Sequence, residues 1–268
     1  MGKMISTELL KPDEARKIIR KGKYIGPTGN WCMGYAQANL VILPEKLAYD
    51  FLLFCMRNPK PCPLLEVTDV GSPVPKYVAP SADLRFDIPL YRVFKNGEVI
   101  DIPRDLEKYW REDLVSFLLG CSFSFEDALL KAGIPSRYLD NAADQGNPVY
   151  FTNIPCLTAG PFSGNLVVSM RPIPAHQVSK AVQVTSRFPN VHGAPVHIGE
   201  PMDIGIRDIM KPDFGASPTI LSGDVFVFWA CGITPQIAIE KAKPEVAFSH
   251  YASRMFITDL TNESLSVL

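Results

Sequence analysis

One local plan occurs twice in this chain, and it constrains the fold more than any other feature. Phe117-Leu-Leu-Gly-Cys121-Ser-Phe-Ser-Phe-Glu126 is an apolar run that ends in a cysteine and passes into a helix-start signal. Phe226-Val-Phe-Trp-Ala-Cys231-Gly-Ile-Thr-Pro235 repeats it. Each copy puts a thiol and a hydroxyl beside backbone N–H groups that have no intrahelical partner, which suits holding an anion or lowering a thiol pKa. Two such ends facing one cleft make a site for a small carboxylate. The plain alternative is that Cys121 and Cys231 are buried packing residues.

Composition narrows the field. With 268 residues, 47% hydrophobic and 21% charged, the chain can bury a sizeable core as one large domain or two modest ones. A formal net charge of −1 without a basic block does not favour nucleic acid. The longest apolar stretch, Val225–Ile233, is too short to span a bilayer. Met1-Gly-Lys-Met-Ile-Ser6 matches the loose myristoylation pattern, but one acyl chain anchors only marginally, so no membrane partner is expected. The six cysteines form no C-x-x-C pair, and no secretory signal precedes them, so a reduced, cytoplasmic setting is expected.

Local signals give the elements. Pro12–Gly22 reads as a helix with acids at its start and bases at its end, and Pro44–Asn58 as a second, broadly apolar one. Asn58–Pro63 is an extended connector. Tyr91–Asp101 is a hairpin turned at Asn96-Gly97. Asp105–Leu119 is expected to be helical, and a helix opens at Ser124, with Asp127 as capping partner, and stops at Gly133. After a polar loop (Asp140–Pro148), strands are expected at Asn165–Met170, Gly223–Trp229 and Met255–Asp259, with helices at Ala175–Val184 and from Thr234 to just before Pro244. Strands and helices in both halves imply an α/β fold.

Several segments together resemble the hydro-lyase family that also gives its name to the D-glutamate cyclases, in its bacterial single-domain form. They include Gly34-Tyr-Ala-Gln-Ala-Asn39, Asn58-Pro-Lys-Pro-Cys-Pro63, Gly120-Cys-Ser-Phe-Ser-Phe-Glu126 and Val168-Ser-Met-Arg-Pro172. Thr185-Ser-Arg-Phe-Pro189, His192-Gly-Ala-Pro-Val-His197 and Phe228-Trp-Ala-Cys-Gly-Ile-Thr-Pro-Gln236 complete the likeness. It runs from about Ala15 to Leu260. The resemblance implies one family domain over 1–268, α/β and two-lobed, with mixed sheets and internally related halves. The lobe boundary is expected near 140–150, and intertwining of the lobes stays open. It also implies carbon–oxygen lyase activity, of which dehydrative closure of D-glutamate to 5-oxo-D-proline is a known case.

Closing glutamate into a lactam needs a general base, oxyanion donors, an acid for the departing hydroxyl and an anchor for the other carboxylate. Candidate catalytic residues are His192, His197, Cys121, Cys231 and Glu126. For substrate binding, Arg171 and Arg187 are the guanidinium anchors, joined by Ser122, Ser124 and Thr234 at the helix starts and by Asn153. No cofactor or metal is expected. His192 and His197 stand five apart rather than four, and no nearby carboxylate completes a ligand set. The expected partner is a small carboxylate, and a homo-oligomer stays open. Two further readings compete: a two-cysteine racemase or epimerase using Cys121 and Cys231, and a non-catalytic carboxylate-binding protein.

Overall fold

The computed structural model describes residues 9–137 and 146–267. The Met1–Ser6 pattern and most of the Asp140–Pro148 loop lie outside them. The chain opens with helix α1 (Pro12–Arg20) and then builds around β1 (Tyr35–Pro44), which is buried along nearly its whole length. Such a strand, covered on both faces, reads as a continuous apolar run. Pro44 ends it and leads straight into α2 (Glu45–Arg57).

The larger sheet has the order β2 (Leu64–Val67), β5 (Leu114–Gly120), β1, β10 (Ala247–His250), β3 (Tyr91–Lys95), β4 (Glu98–Asp101). A seventh strand, β11 (Phe256–Thr261), also pairs with β1. β5 occupies one edge of β1, while β10 and β11 share the other. β10 pairs at Val41 and Ile42, and β11 at Gln37 and Ala38. Asn39 and Leu40 therefore lack a strand partner on that edge.

The second sheet has the order β6 (Val149–Pro155), β7 (Asn165–Pro174), β9 (Asp224–Ala230), β8 (His197–Ile198). Three more helices complete the α/β architecture: α3 (Phe123–Lys131), α4 (Val178–Ser186) and α5 (Thr234–Ala242). Every pairing among the described residues is antiparallel.

The two halves repeat one unit in matching register. β1 pairs with β5 through Ala38–Gly120 and Pro44–Leu114; β7 pairs with β9 through Val168–Ala230 and Pro174–Asp224. Both β1 and β7 end in proline and are followed by a helix, and β5 and β9 each pass through a cysteine into one. One apolar core joins the sheets. Phe51 of α2 meets Phe117 of β5 edge-on at 4.8 Å between centroids, and Phe162, just before β7, at 5.1 Å.

Asp105–Leu119 is not the expected helix. It holds a short 3₁₀ turn at Glu107–Tyr109 and then β5, whose seven residues are all buried. Seven consecutive buried residues suit a strand held between two neighbours, whereas a helix this short turns one side to solvent. The hairpin at Asn96-Gly97 forms as expected, both residues having positive φ.

Candidate active site

The two strand–cysteine–helix turns share a backbone device that the sequence suggested only in part. Cys121 N–H donates to the Gln37 carbonyl at 3.0 Å, and Gln37 N–H donates back to Ser124 Oγ at 3.1 Å. In the other half, Cys231 N–H donates to the Val167 carbonyl at 2.9 Å, and Val167 N–H donates to Thr234 Oγ1 at 3.0 Å. Ser124 and Thr234 therefore do not cap their helices. The cap positions are Ser122 and Ile233, with no side-chain cap bond. The hydroxyls clip each helix start to the first strand of its own unit.

These turns open into one cavity, lined by residues of both units. Cys121, Ser122 and Asn39 come from the first unit, and Cys231, Gly232 and Ser169 from the second. The N–H groups of Ser122 and Gly232 donate to no protein acceptor among the described residues, which leaves a pair of donors at matched stations. Two glycines allow the close fit. A Cβ at Gly232 would run into the Asn39 amide, and one at Gly120 into the carbonyl of Asn190. That second approach brings the turn carrying His192 against β5.

Two buried imidazoles, His192 and His250, also line the cavity. His192 sits in the left-handed region, φ +84°, a strained conformation of the kind that collects at functional sites. Its Nδ1 lies 2.7 Å from the Lys60 carbonyl. A carbonyl only accepts, so Nδ1 carries the proton and Nε2 keeps a free lone pair. His250 is held differently. Its Nδ1 lies 3.1 Å from the Leu40 N–H, a group that the gap between β10 and β11 leaves without a strand partner, and 3.4 Å from the Leu40 carbonyl. The Gln236 amide nitrogen, a donor, lies 3.4 Å from Nε2, while the Gln236 oxygen accepts from Arg92. Burial holds both imidazoles down at about 4, so both are neutral at neutral pH. His192 presents an acceptor, Nε2.

The thiols do not have the lowered pKa that helix starts suggest. Burial pushes Cys121 up to about 12 and Cys231 up to about 11, outweighing N–H groups of Phe123 and Ile233 and the Arg171 charge, which act to lower them. Cys231 is the more open of the two.

Arg171 lies beside the cavity in a buried ion pair with Glu126, its Nε 2.7 Å from Oε1. Its guanidinium lies against Phe125 and Trp229, 5.2 and 5.1 Å from the ring centroids. It also donates to Ser169 Oγ at 3.1 Å and Ser122 Oγ at 3.4 Å. Arg171 thus orients two cavity hydroxyls, while its own charge is met by Glu126. Asn147 completes the group. Its Nδ2 donates to Glu126 Oε1 at 3.3 Å, which turns Oδ1 away from the carboxylate, and that buried oxygen has no partner among the described residues. Asn147 lines the cavity.

Of the residues expected from sequence, Cys121, Cys231, Ser122 and His192 meet at the cavity, with Arg171 and Glu126 beside it. Three others lie elsewhere. His197 Nε2 is bound to the Glu200 carbonyl at 2.8 Å, with its ring against Phe228. Arg187 follows α4 on a groove with Lys131 and Val267. Asn153 is exposed on β6 against Gly205. Asn147, His250 and Ser169 were missed. Ser169 had a usable signal, because Asn39 and Ser169 each stand five positions before the proline that ends their strand. Asn147 and His250 had none, since their roles depend on contacts distant in sequence.

Fold and cavity together define a two-lobed α/β protein with a cavity lined from the units of both sheets. The D-glutamate cyclase family profile matches residues 115–259. A protein named "Putative hydro-lyase" from Thermoanaerobacter sp. strain X514 is 58% identical over 99% of this chain and 100% of its own length. Similarly named proteins from Bacillus velezensis and Bacillus subtilis are 54% and 53% identical, each over 97% of this chain and over 97% and 100% of their own lengths. The chain belongs to the D-glutamate cyclase family of hydro-lyases, enzymes of the carbon–oxygen lyase class. A nitrogen repressor-like protein from Methanococcus jannaschii aligns over 90% of this chain and 96% of its own at TM-score 0.39 and 10% identity, too distant a likeness to bear on function. Among the described residues, no helix is long and apolar enough to cross a membrane.

Proposed function

We propose that the enzyme removes water from a small amino or hydroxy dicarboxylic acid, and that closure of D-glutamate to 5-oxo-D-proline is the reaction the cavity fits best. The observation that carries this reading is a pair of buried, neutral imidazoles lining one cavity, with His192 Nε2 free to accept a proton. Dehydration needs a proton taken at one point and given at another, and His192 can do both in turn.

In ring closure the substrate amine, as a neutral nucleophile, donates a hydrogen bond to the free Oδ1 of Asn147. It attacks the carbon of the far carboxyl group while His192 Nε2 takes its proton. The developing oxyanion lies against the N–H groups of Ser122 and Gly232. The C–OH bond then breaks, and the proton held by His192 leaves with the hydroxyl as water. The N–C bond formed and the C–O bond broken balance as lactam plus water. The Arg171–Glu126 pair keeps Ser122, Ser169 and Asn147 in place throughout.

Incubation with D-glutamate is expected to yield 5-oxo-D-proline and water in equal amounts, read by chiral chromatography. No product from D-glutamate, L-glutamate or a panel of β-hydroxy acids would remove this reading.

A further inference from the structure

We propose that Cys121 and Cys231 form a two-sided proton-exchange pair, so that the same cavity inverts the Cα centre of a small α-amino acid held between them. This activity shares the cavity with the dehydration described above but uses different groups, and neither depends on the other.

The argument rests on placement. The thiols stand at the same position of a unit that occurs twice: last residue of the strand plus one, with the N–H tied back to the first strand of the unit. One belongs to the seven-stranded sheet's unit and the other to the four-stranded sheet's, and both line the same cavity. A flat carbanion held between groups from two separate units can meet one on each face. Neither thiol is in a disulfide, and neither is part of a metal-binding cluster among the described residues. Each sulfur receives an N–H from two residues along the chain, Phe123 or Ile233, and each feels the positive charge of Arg171. Both influences favour a transient thiolate, against the burial that raises both thiols. The cavity also holds what else the reaction needs. His192 Nε2 is a free lone pair, Asn147 Oδ1 is a buried acceptor without a partner, and the Ser122 and Gly232 N–H groups are donors for a carboxylate.

The proton count closes without any added reagent. One cysteine enters the cycle as the thiolate, its proton given up to solvent at the cavity mouth. That thiolate removes the Cα proton, and the electron pair moves into the carboxylate as an enediolate facing the Ser122 and Gly232 N–H groups. The second thiol then protonates Cα from the opposite face and is left as the thiolate, so the two cysteines exchange states in each turnover. The Cα–H bond is broken on one face and formed on the other, and nothing is oxidised or reduced.

The test uses the full chain in D₂O with D- and L-glutamate and D- and L-aspartate, each supplied separately. Loss of the Cα proton signal is followed by NMR and enantiomer composition by chiral chromatography. The expected result is deuterium entry at Cα with appearance of the opposite enantiomer. Cys121→Ser and Cys231→Ser are each expected to lower inversion by about 100-fold or more. Residual wash-in should be confined to one enantiomer in the first variant and to the other in the second, a signature that general damage to the fold does not produce. Absence of Cα exchange in the unaltered protein on all four substrates overturns the proposal, as does inversion retained in either variant. 5-Oxoproline is measured in the same samples. Its formation without Cα exchange overturns this inference and leaves the dehydration reading standing; exchange without 5-oxoproline does the reverse.

Discussion

The two strand–cysteine–helix units share a backbone and differ in nearly every side chain that faces the cavity. Fifth from Cys121 stands Glu126, locked to Arg171 and touching Asn147; fifth from Cys231 stands Gln236, which accepts from Arg92 at 3.2 Å and lies beside His250. Ser122 sits near Ser169, whereas Gly232 is paired with the bulkier Asn39. One side ends in an acceptor without a partner among the described residues, Asn147 Oδ1, and the other in a buried imidazole, His250. Repetition supplies the scaffold, and divergence supplies the polarity. A site that must hold a molecule with unlike ends, and move a proton from one to the other, cannot keep the symmetry of its frame.

The sharpest way to break this comparison is at the imidazoles. His192→Gln should lower kcat/KM by roughly 10²–10⁴-fold in the 5-oxoproline assay, while His197→Gln, outside the cavity, should leave it within about twofold by the same reasoning. Equal losses in both variants would mean that the cavity is not where the chemistry happens.

Next come the paired charges. Glu126→Ala leaves Arg171 buried and uncompensated, and should cost about 3–5 kcal/mol in denaturant unfolding. Gln236→Ala, in the matching place, removes neutral hydrogen bonds and should cost about 1 kcal/mol. Similar costs would show that the two stations are equivalent after all.

Acidity probes both imidazoles together. Their folded pKa values are held down at about 4, below the ordinary 6.5. Below about 6.5 the unfolded chain therefore binds protons that the folded one refuses, and stability falls as pH drops toward 4. The loss is roughly 3 kcal/mol per histidine at its fullest. Unfolding free energy measured at pH 7.5 and 4.5 should fall less in His250→Gln than in the unaltered protein. An unchanged pH dependence would show that His250 is not held neutral.

The smallest effect tests the clips. Ser124→Ala and Thr234→Val each leave a buried strand N–H unpaired, at a cost of about 1–3 kcal/mol. Similar values in the two halves are expected, because the clip is the part that did not diverge. A Tm unmoved in one variant alone would mean that its N–H finds another acceptor.

Much of this molecule can be read in the chain. The helix at Pro12, the Asn96-Gly97 hairpin and the paired cysteine turns follow from local signals that tertiary contacts do not override. β5 was misread because Asp105–Trp110 is polar and has helical spacing, while only the neighbours β2 and β1 make Leu114–Gly120 a strand. At the site, Cys121, Cys231, Ser122 and His192 were visible as residue types in suggestive places. His197 shares the short segment of His192 but not its turn, and sequence proximity cannot separate them. The clips, the settings of the two imidazoles and the unpartnered Asn147 oxygen all depend on groups more than a strand away, such as Leu40 for His250 and Lys60 for His192.

The two-residue gap on the edge of β1 has a temporal meaning. Asn39 and Leu40 emerge early in synthesis, yet the ring that plugs the gap and the strand that closes it come from positions 250 and 256–261. A growing polypeptide therefore carries an unfinished pocket until residues 250–261 have followed, so the order of synthesis delays completion of the cavity.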